Sequence, residues 1–281
     1  MIAVCPNPFR DIGLKLTREA MRILNAAGYD TVVCPVFAED EPDVIPDDVQ
    51  TTDLTRVSDR CSMILVIGGD GTLLATARKL HGIDVPILGV NLGTKGFMAT
   101  LEPHDLPLIV KAAANEMPVS RRMKMDVDLI RNGSVIYSDC ALNDVVIHGY
   151  GDCVKLTSSC DGDVMMSFSG DGIILSTPTG STGYSMSAGG PIVEPDAENI
   201  IVTPICAHMM GARSFVLDPS RRVEVKTEKL HTRRAFLSVD GNSVYDMANE
   251  DMIVVKRSEQ CTRMINMGRR SFYDTAYEKL T

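Results

Sequence analysis

An uninterrupted apolar run, MILVI (63–67), leads straight into the glycine-rich turn GGDGT (68–72) and then into a helical pattern over Thr72–Leu80. No other feature narrows the fold as much. Five apolar residues without alternation suit a strand buried on both faces, which is the state of strands in parallel sheets covered by helices. The pattern recurs in VPILGV (85–90), followed by a second glycine loop, NLGTKGF (91–97). Upstream, Met1–Cys5 and Thr31–Val36 read as strands on either side of a helical pattern from Asp11 to Ala27, which stops at Gly28. This alternation predicts a doubly wound α/β domain over residues 1–120 with a parallel sheet. Ligands of such sheets bind beyond the carboxyl ends of the strands, where both glycine loops fall.

The pattern changes near residue 120. PHDLPLIVKAAANEMPVSRR, before Met123, reads as a helix and crossover. Met123, Met125, Val127 and Leu129 then alternate with polar residues, Asn132–Gly133 supplies a hairpin turn and Val135–Tyr137 the return strand. Asp161–Gly162 and Asp240–Gly241 are further turn signals. Residues 121–255 are therefore expected to form an all-β domain. The tail, 256–281, holds a helical pattern in SFYDTAYEKL (271–280) that is expected to pack back on the first domain.

A formal net charge of −9 argues against nucleic-acid and anionic-membrane partners, which call for a basic face. The eight cysteines are scattered without a CxxC pair, and the five histidines show no metal-ligand spacing. No apolar run approaches the ~20 residues of a membrane-spanning helix. MIAVCPNPF lacks the charge and apolar stretch of a signal peptide, so a cytoplasmic location with reduced cysteines is expected.

Glycine-rich turns cradle phosphate because their N–H groups can approach an anion. Yet the centre of GGDGT is an acid, Asp70, with no lysine. Either it caps the following helix or it works as a carboxylate on a ligand. In NLGTKGF, Phe97 could stack on a base and Lys95 steady a phosphate, or the segment is a plain strand-to-helix turn. FSGDGIILSTPTGSTGYSMSAGGPIVEP (168–195) gathers glycines and hydroxyls around Asp171, with Thr179, Ser181 and Thr182 offering neutral hydrogen bonds. LNDVVIHG (142–149) places Asn143 and Asp144 inside an otherwise apolar strand, an odd pairing unless something hydrogen-bonds both.

Taken together, GGDGT, NLGTKGF, LNDVVIHG and DGIILSTPTGSTGYSMSAGGPIV resemble the NAD kinase family, in that family's order. The resemblance implies phosphorylation of the adenosine-ribose 2′-hydroxyl of NAD by ATP, with a divalent cation (Mg²⁺) carried by the ATP, to give NADP. It implies a β-rich domain completing the NAD site, and assembly as a homodimer or homotetramer. Asp70 would accept the proton, with Gly71 and Leu74 lining the substrate and Phe97 touching an adenine. Asn143 and Asp144 would bind ribose hydroxyls, and Asp171 the nicotinamide end. Thr182, Gly183, Tyr184, Ser185, Met186 and Ser187 would hold the dinucleotide, with Cys206 and Asn242 adding contacts. The chain departs from the family pattern in Asp144, where glutamate is common, and in Gly183, where alanine is usual. It departs again in Lys95, at a commonly hydrophobic position, and in Ser169, where arginine is frequent. Two other readings remain: another GGDGT-type lipid or sugar kinase, or a non-catalytic dinucleotide sensor.

Overall fold

The computed structural model describes residues 1–37, 44–93, 96–241 and 243–280. The chain divides into two compact units, one of Met1–Arg121 with Thr262–Thr281 and one of Arg122–Cys261.

The first unit is built on β1 (Ile2–Pro6), helix α1 (Lys15–Ala26), β2 (Thr31–Val33), β3 (Met63–Gly68), helix α2 (Asp70–Lys79), β4 (Ile87–Asn91) and helix α3 (Ile109–Ala113). β1 pairs in parallel with β2 and β3, and β3 with β4, giving the order β2-β1-β3-β4. Every residue of β1, β3 and β4 is buried, as their sequences, apolar but for Asn91 at the end of β4, require. Ala20 and Leu24 of α1 meet this sheet in a core with Ile2, Val4, Leu65, Ile67 and Leu88. Fully burying a leucine such as Leu24 contributes roughly 1.5–3 kcal/mol.

Two helices are shorter than the sequence pattern predicts. α1 begins at Lys15 and not at Asp11, because Gly13 and Leu14 both take positive φ. Asp11 instead turns its carboxylate onto the new N-terminus, accepting from the N–H groups of Leu16 (3.0 Å) and Thr17 (2.9 Å). The segment before Met123 is mostly a 3₁₀ turn over Pro103–Leu108, with α3 adding five residues. Pro107 removes an N–H donor there, which keeps the segment from closing into one long helix.

The second unit contains β5 (Val119–Arg131, entering from the first unit), β6 (Ser134–Ala141), β7 (Asp144–Gly149), β8 (Val154–Cys160), β9 (Asp163–Gly170), β10 (Gly172–Ser176), helix α4 (Tyr184–Ser187), β11 (Ile200–Ile205), β12 (Phe215–Leu217), β13 (Val223–Thr227), β14 (Ala235–Val239), β15 (Ser243–Met247) and β16 (Met252–Ile265, whose last residues belong to the first unit). Six of these strands form an antiparallel sheet in the order β12-β11-β10-β7-β14-β15. Its inner face, with the other strands, encloses a core that includes Val145, Ile147, Ile173, Leu175, Val202 and Leu237. Asn132–Gly133 (φ 51° and 78°) and Asp161–Gly162 (φ 51° and 94°) close two-residue hairpins, the left-handed conformation those sequences favour. A last helix, α5 (Phe272–Leu280), lies in the first unit.

Candidate active site

In the first unit, β3 ends at Gly68 and α2 starts two residues later, so Asp70 is the first residue of the helix. Gly69 occupies the capping position. Asp70 makes no side-chain cap, and the capping reading of this acid does not hold. Its carboxylate reaches instead to the second glycine loop. Oδ2 accepts from the N–H of Phe97 (2.7 Å), and Oδ1 accepts from those of Met98 (3.1 Å) and Ala99 (3.2 Å). This close approach explains Gly96, where a Cβ would run into the Asp70 carboxylate. A carboxylate has about four acceptor positions, so among the described residues Oδ2 keeps one for a ligand. Thr72 fixes the turn from behind: its buried hydroxyl accepts from Asn7 Nδ2 at 3.2 Å.

Gly71 lies exposed on the first turn of α2, and Leu74 is half-buried on the next. The half-buried Phe97 ring meets Phe272 of α5, with centroids 6.0 Å apart, and carries the Lys279 ammonium 4.4 Å from its centre. Such a cation–π contact contributes about 0.5–2 kcal/mol. Lys95 and Asn242 lie outside the described residues.

In the second unit, β7 begins at Asp144, so Asn143 precedes the strand and does not lie within it as the sequence pattern suggested. The expected clash of alternating faces is thereby avoided. Asp144 is 8% exposed, and burial, followed by the nearby charge of Asp240, pushes its carboxyl up to about 7. Asn143 Oδ1 and Thr179 Oγ1 are buried without a hydrogen-bond partner among the described residues.

The glycine–hydroxyl stretch forms a 3₁₀ turn over Gly180–Thr182 and then α4. Gly183 joins them at φ −98°. The Tyr184 phenol is partly exposed; burial and then the charges of Asp171, Cys206 and Asp144 raise it. Met186 is half-buried and Ser187 exposed. Ser185 points the other way. Its buried hydroxyl is bonded to Thr203 Oγ1 at 3.0 Å. Asp171 precedes β10, with Cys153 Sγ 3.9 Å from its Oδ1, and the exposed Cys206 thiol is raised chiefly by its hydrogen bond to Asp171.

Sequence reasoning passed over Asp240, which it read only as a turn residue. Its carboxylate accepts three backbone N–H bonds from residues 142–144. The signal was an acid at the left-handed position of a hairpin, where Asp is tolerated for local as well as tertiary hydrogen bonding.

The profile of the ATP-NAD kinase N-terminal domain matches residues 2–116, and that of the ATP-NAD kinase C-terminal domain matches residues 142–267. The NAD kinase of Acetivibrio thermocellus is 35% identical over 282 residues, covering 99% of this chain and 96% of that protein. The NAD kinase of Natranaerobius thermophilus is 33% identical, covering 100% and 97%. Among solved structures, a yeast NADH kinase complexed with NADH superposes with a TM-score of 0.86 at 24% identity, over 99% of this chain and 86% of that one. An NAD kinase from Archaeoglobus fulgidus in complex with ATP gives 0.76 at 25% identity, over 100% and 98%.

Proposed function

The chain belongs to the ATP-NAD kinase family, and from that premise we propose that it transfers the γ-phosphoryl group of MgATP to the 2′-hydroxyl of the adenosine ribose of NAD, giving NADP. The bond between the ribose oxygen and the γ-phosphorus forms as the bond from that phosphorus to the β,γ-bridging oxygen breaks. ADP leaves with the electron pair, and the hydroxyl proton passes to Asp70.

The observation that carries this reading is the Asp70 carboxylate held by three backbone N–H groups. Those bonds fix its direction. The remaining acceptor position on Oδ2 is where a ribose hydroxyl would donate. Phosphoryl transfer asks the protein mainly for alignment, charge neutralisation and a proton acceptor, so a rigid carboxylate suits the acceptor side. The positive end of the α2 dipole favours the phosphate charge, and the magnesium arriving with ATP would supply the rest. Gly71, Leu74 and Phe97 line the substrate in this reading. In the second unit Asn143 and Asp144 take ribose hydroxyls, Asp171 the nicotinamide end, and Thr182, Gly183, Tyr184, Met186 and Ser187 with Cys206 the rest of the dinucleotide, the Ser185 hydroxyl being engaged by Thr203. The unpartnered Asn143 Oδ1 supports a polar ligand there.

The reading includes a homodimer or homotetramer. The edge strand β12 of the antiparallel sheet supports it, because Phe215 and Val216 are exposed there alongside a fully exposed Met210. A cytoplasmic location agrees with eight unpaired cysteines. The deciding experiment incubates the pure protein with NAD, Mg²⁺ and ATP and assays NADP. Formation of 2′-phosphorylated product is the expected result, and its absence with intact folding refutes the reading. Parallel reactions with polyphosphate or NADH define the donor and acceptor range.

A further inference from the structure

Leu142 and Asn143 form a bend that runs into Asp144, the first residue of β7, and every main-chain polar group of residues 142–144 is hydrogen-bonded. The N–H of Leu142 donates to Asp240 Oδ2 at 2.8 Å, and those of Asn143 and Asp144 donate to Asp240 Oδ1 at 2.7 and 3.0 Å. The Asp240 N–H returns a bond to the Asp144 carbonyl at 2.9 Å. From the other side Thr177 donates its hydroxyl to the Leu142 carbonyl (2.6 Å) and its N–H to the Asn143 carbonyl (2.9 Å). With the backbone fully engaged, the bend has one conformation, and the side chains of Asn143 and Asp144 are left for a ligand.

Asp240 contributes four of these six bonds. It is 6% exposed, at φ 50° on the hairpin between β14 and β15. A single side chain there sets the direction of two others nearly a hundred residues away in sequence.

The same acid is also a charge beside Asp144. Among the described residues, the charged and titratable groups that act on the pair or feel it include the Tyr184 phenol, raised in part by the charge of Asp144, and the buried Lys124 on β5, whose charge favours the ionised form of Asp240. Burial opposes ionisation of both acids, and three N–H bonds with Lys124 favour keeping the charge on Asp240. The proton that the pair holds near neutrality therefore resides on Asp144.

We propose that Asp240 is a positioning residue of the dinucleotide site: its carboxylate clamps the bend that aims Asn143 and Asp144, and its charge makes ligand binding by Asp144 sensitive to pH. This rests on the NAD kinase reading for the identity of the ligand, but the coupling of the two acids does not. An ionised Asp144 accepts from two ribose hydroxyls, whereas a protonated one gives up an acceptor oxygen, so NAD should bind more tightly as pH rises through 7.

Carbon-detected NMR titration of the Asp144 carboxyl in the ligand-free protein tests the coupling directly. A midpoint near 7 that moves to lower pH in Asp240→Asn is expected. A midpoint in the ordinary carboxylate range, or one that Asp240→Asn leaves in place, overturns the proposal. Calorimetric titration with NAD tests the consequence. The wild-type Kd should fall about tenfold between pH 6 and pH 8, as the competent fraction rises. At pH 8, where Asp144 is largely ionised in both proteins, Asp240→Asn should weaken NAD binding through loss of the clamp while leaving the KM for ATP unchanged. Should Asp240→Asn fail to fold, Asp144→Asn decides, since it must abolish the pH dependence of the NAD Kd. Its persistence in that variant, or a flat wild-type Kd from pH 6 to 8, overturns the proposal. Wild-type protein that binds no NAD at any pH refutes the functional reading instead, and the NMR titration still judges the coupling.

Discussion

The N–H of Phe97 donates to Oδ2 of Asp70 at 2.7 Å, so the acid of the first glycine loop holds the tip of the second. The acid that looked misplaced in a phosphate-type turn therefore has two tasks. It ties the loops together through three amides, and it retains an acceptor position toward a ligand.

Replacing Asp70 with Asn separates these tasks only in part. An amide keeps one acceptor oxygen and turns an NH₂ group toward N–H donors, leaving a donor unmatched at a cost of about 1–3 kcal/mol. Asp70→Asn is expected to lower turnover on the order of 10²-fold or more, because the proton acceptor is gone. Melting temperature should drop modestly in the same variant. Steady-state kinetics beside calorimetric melting checks both, and turnover near the wild-type rate would assign the base elsewhere, with Asp171 the next residue to test.

Gly183 faces a different constraint. A Cβ there would lie 3.3 Å from the Gly180 carbonyl oxygen, a contact that a small give in the turn relieves for one methyl group but not for a branched side chain. Gly183→Ala should be tolerated with little change in melting temperature. Gly183→Val adds bulk beside the turn assigned to the dinucleotide, and should raise the KM for NAD severalfold before it affects stability. Equal KM values for the two variants and wild type would place the turn away from the substrate.

Ser185 provides a contrast within the same stretch. Its hydroxyl is bonded to Thr203 inside the protein, so Ser185→Ala leaves the Thr203 hydroxyl without that partner. The expected cost is about 1–3 kcal/mol, read as a melting temperature lower by several degrees. The KM for NAD should stay within twofold, and a large rise in KM with unchanged melting would give this serine to the ligand.

Asp144 also links stability to pH. Its folded value near 7 lies above the ordinary value of 3.8, so between about pH 4 and 7 the folded protein holds a proton there that the unfolded chain releases. Stability from this group is complete below pH 4, declines as pH rises to 7 and is lost above. Asp144→Asn has no such proton to lose. Its melting temperature should therefore gain on that of wild type from pH 5 to pH 8, and a constant difference across that range would contradict the assignment.

The sequence patterns that proved legible were those whose causes are local. MILVI read as a strand buried on both faces because that environment leaves nothing polar to alternate with, and Asn132–Gly133 read as a turn because both residues accept positive φ. Helix starts were less legible. The Asp11 pattern extends through Gly13 and Leu14, but nothing in apolar spacing reports that the backbone turns left-handed there. Asn143 looked like an interior strand residue because the apolar run around it is continuous, whereas the bend depends on Thr177 and Asp240. Asp240–Gly241 was legible as a turn and illegible as a clamp. The Asp70 bridge to residues 97–99 was hidden likewise, since a carboxylate bonded to distant amides leaves no periodicity in the chain.

The solitary Asn143 Oδ1 and Thr179 Oγ1 give the second unit a means of rejection as well as attraction. A molecule that presents N–H or O–H groups to these two atoms relieves a desolvation cost of about 1–3 kcal/mol at each. At Asn143 Oδ1 a methyl group or another acceptor leaves the cost in place, whereas the Thr179 hydroxyl can also donate to an acceptor. Because polar sites exclude the wrong chemistry more sharply than apolar pockets exclude the wrong size, counterfeit ligands of the right shape but inverted hydrogen-bonding polarity should be the ones this fold turns away most effectively.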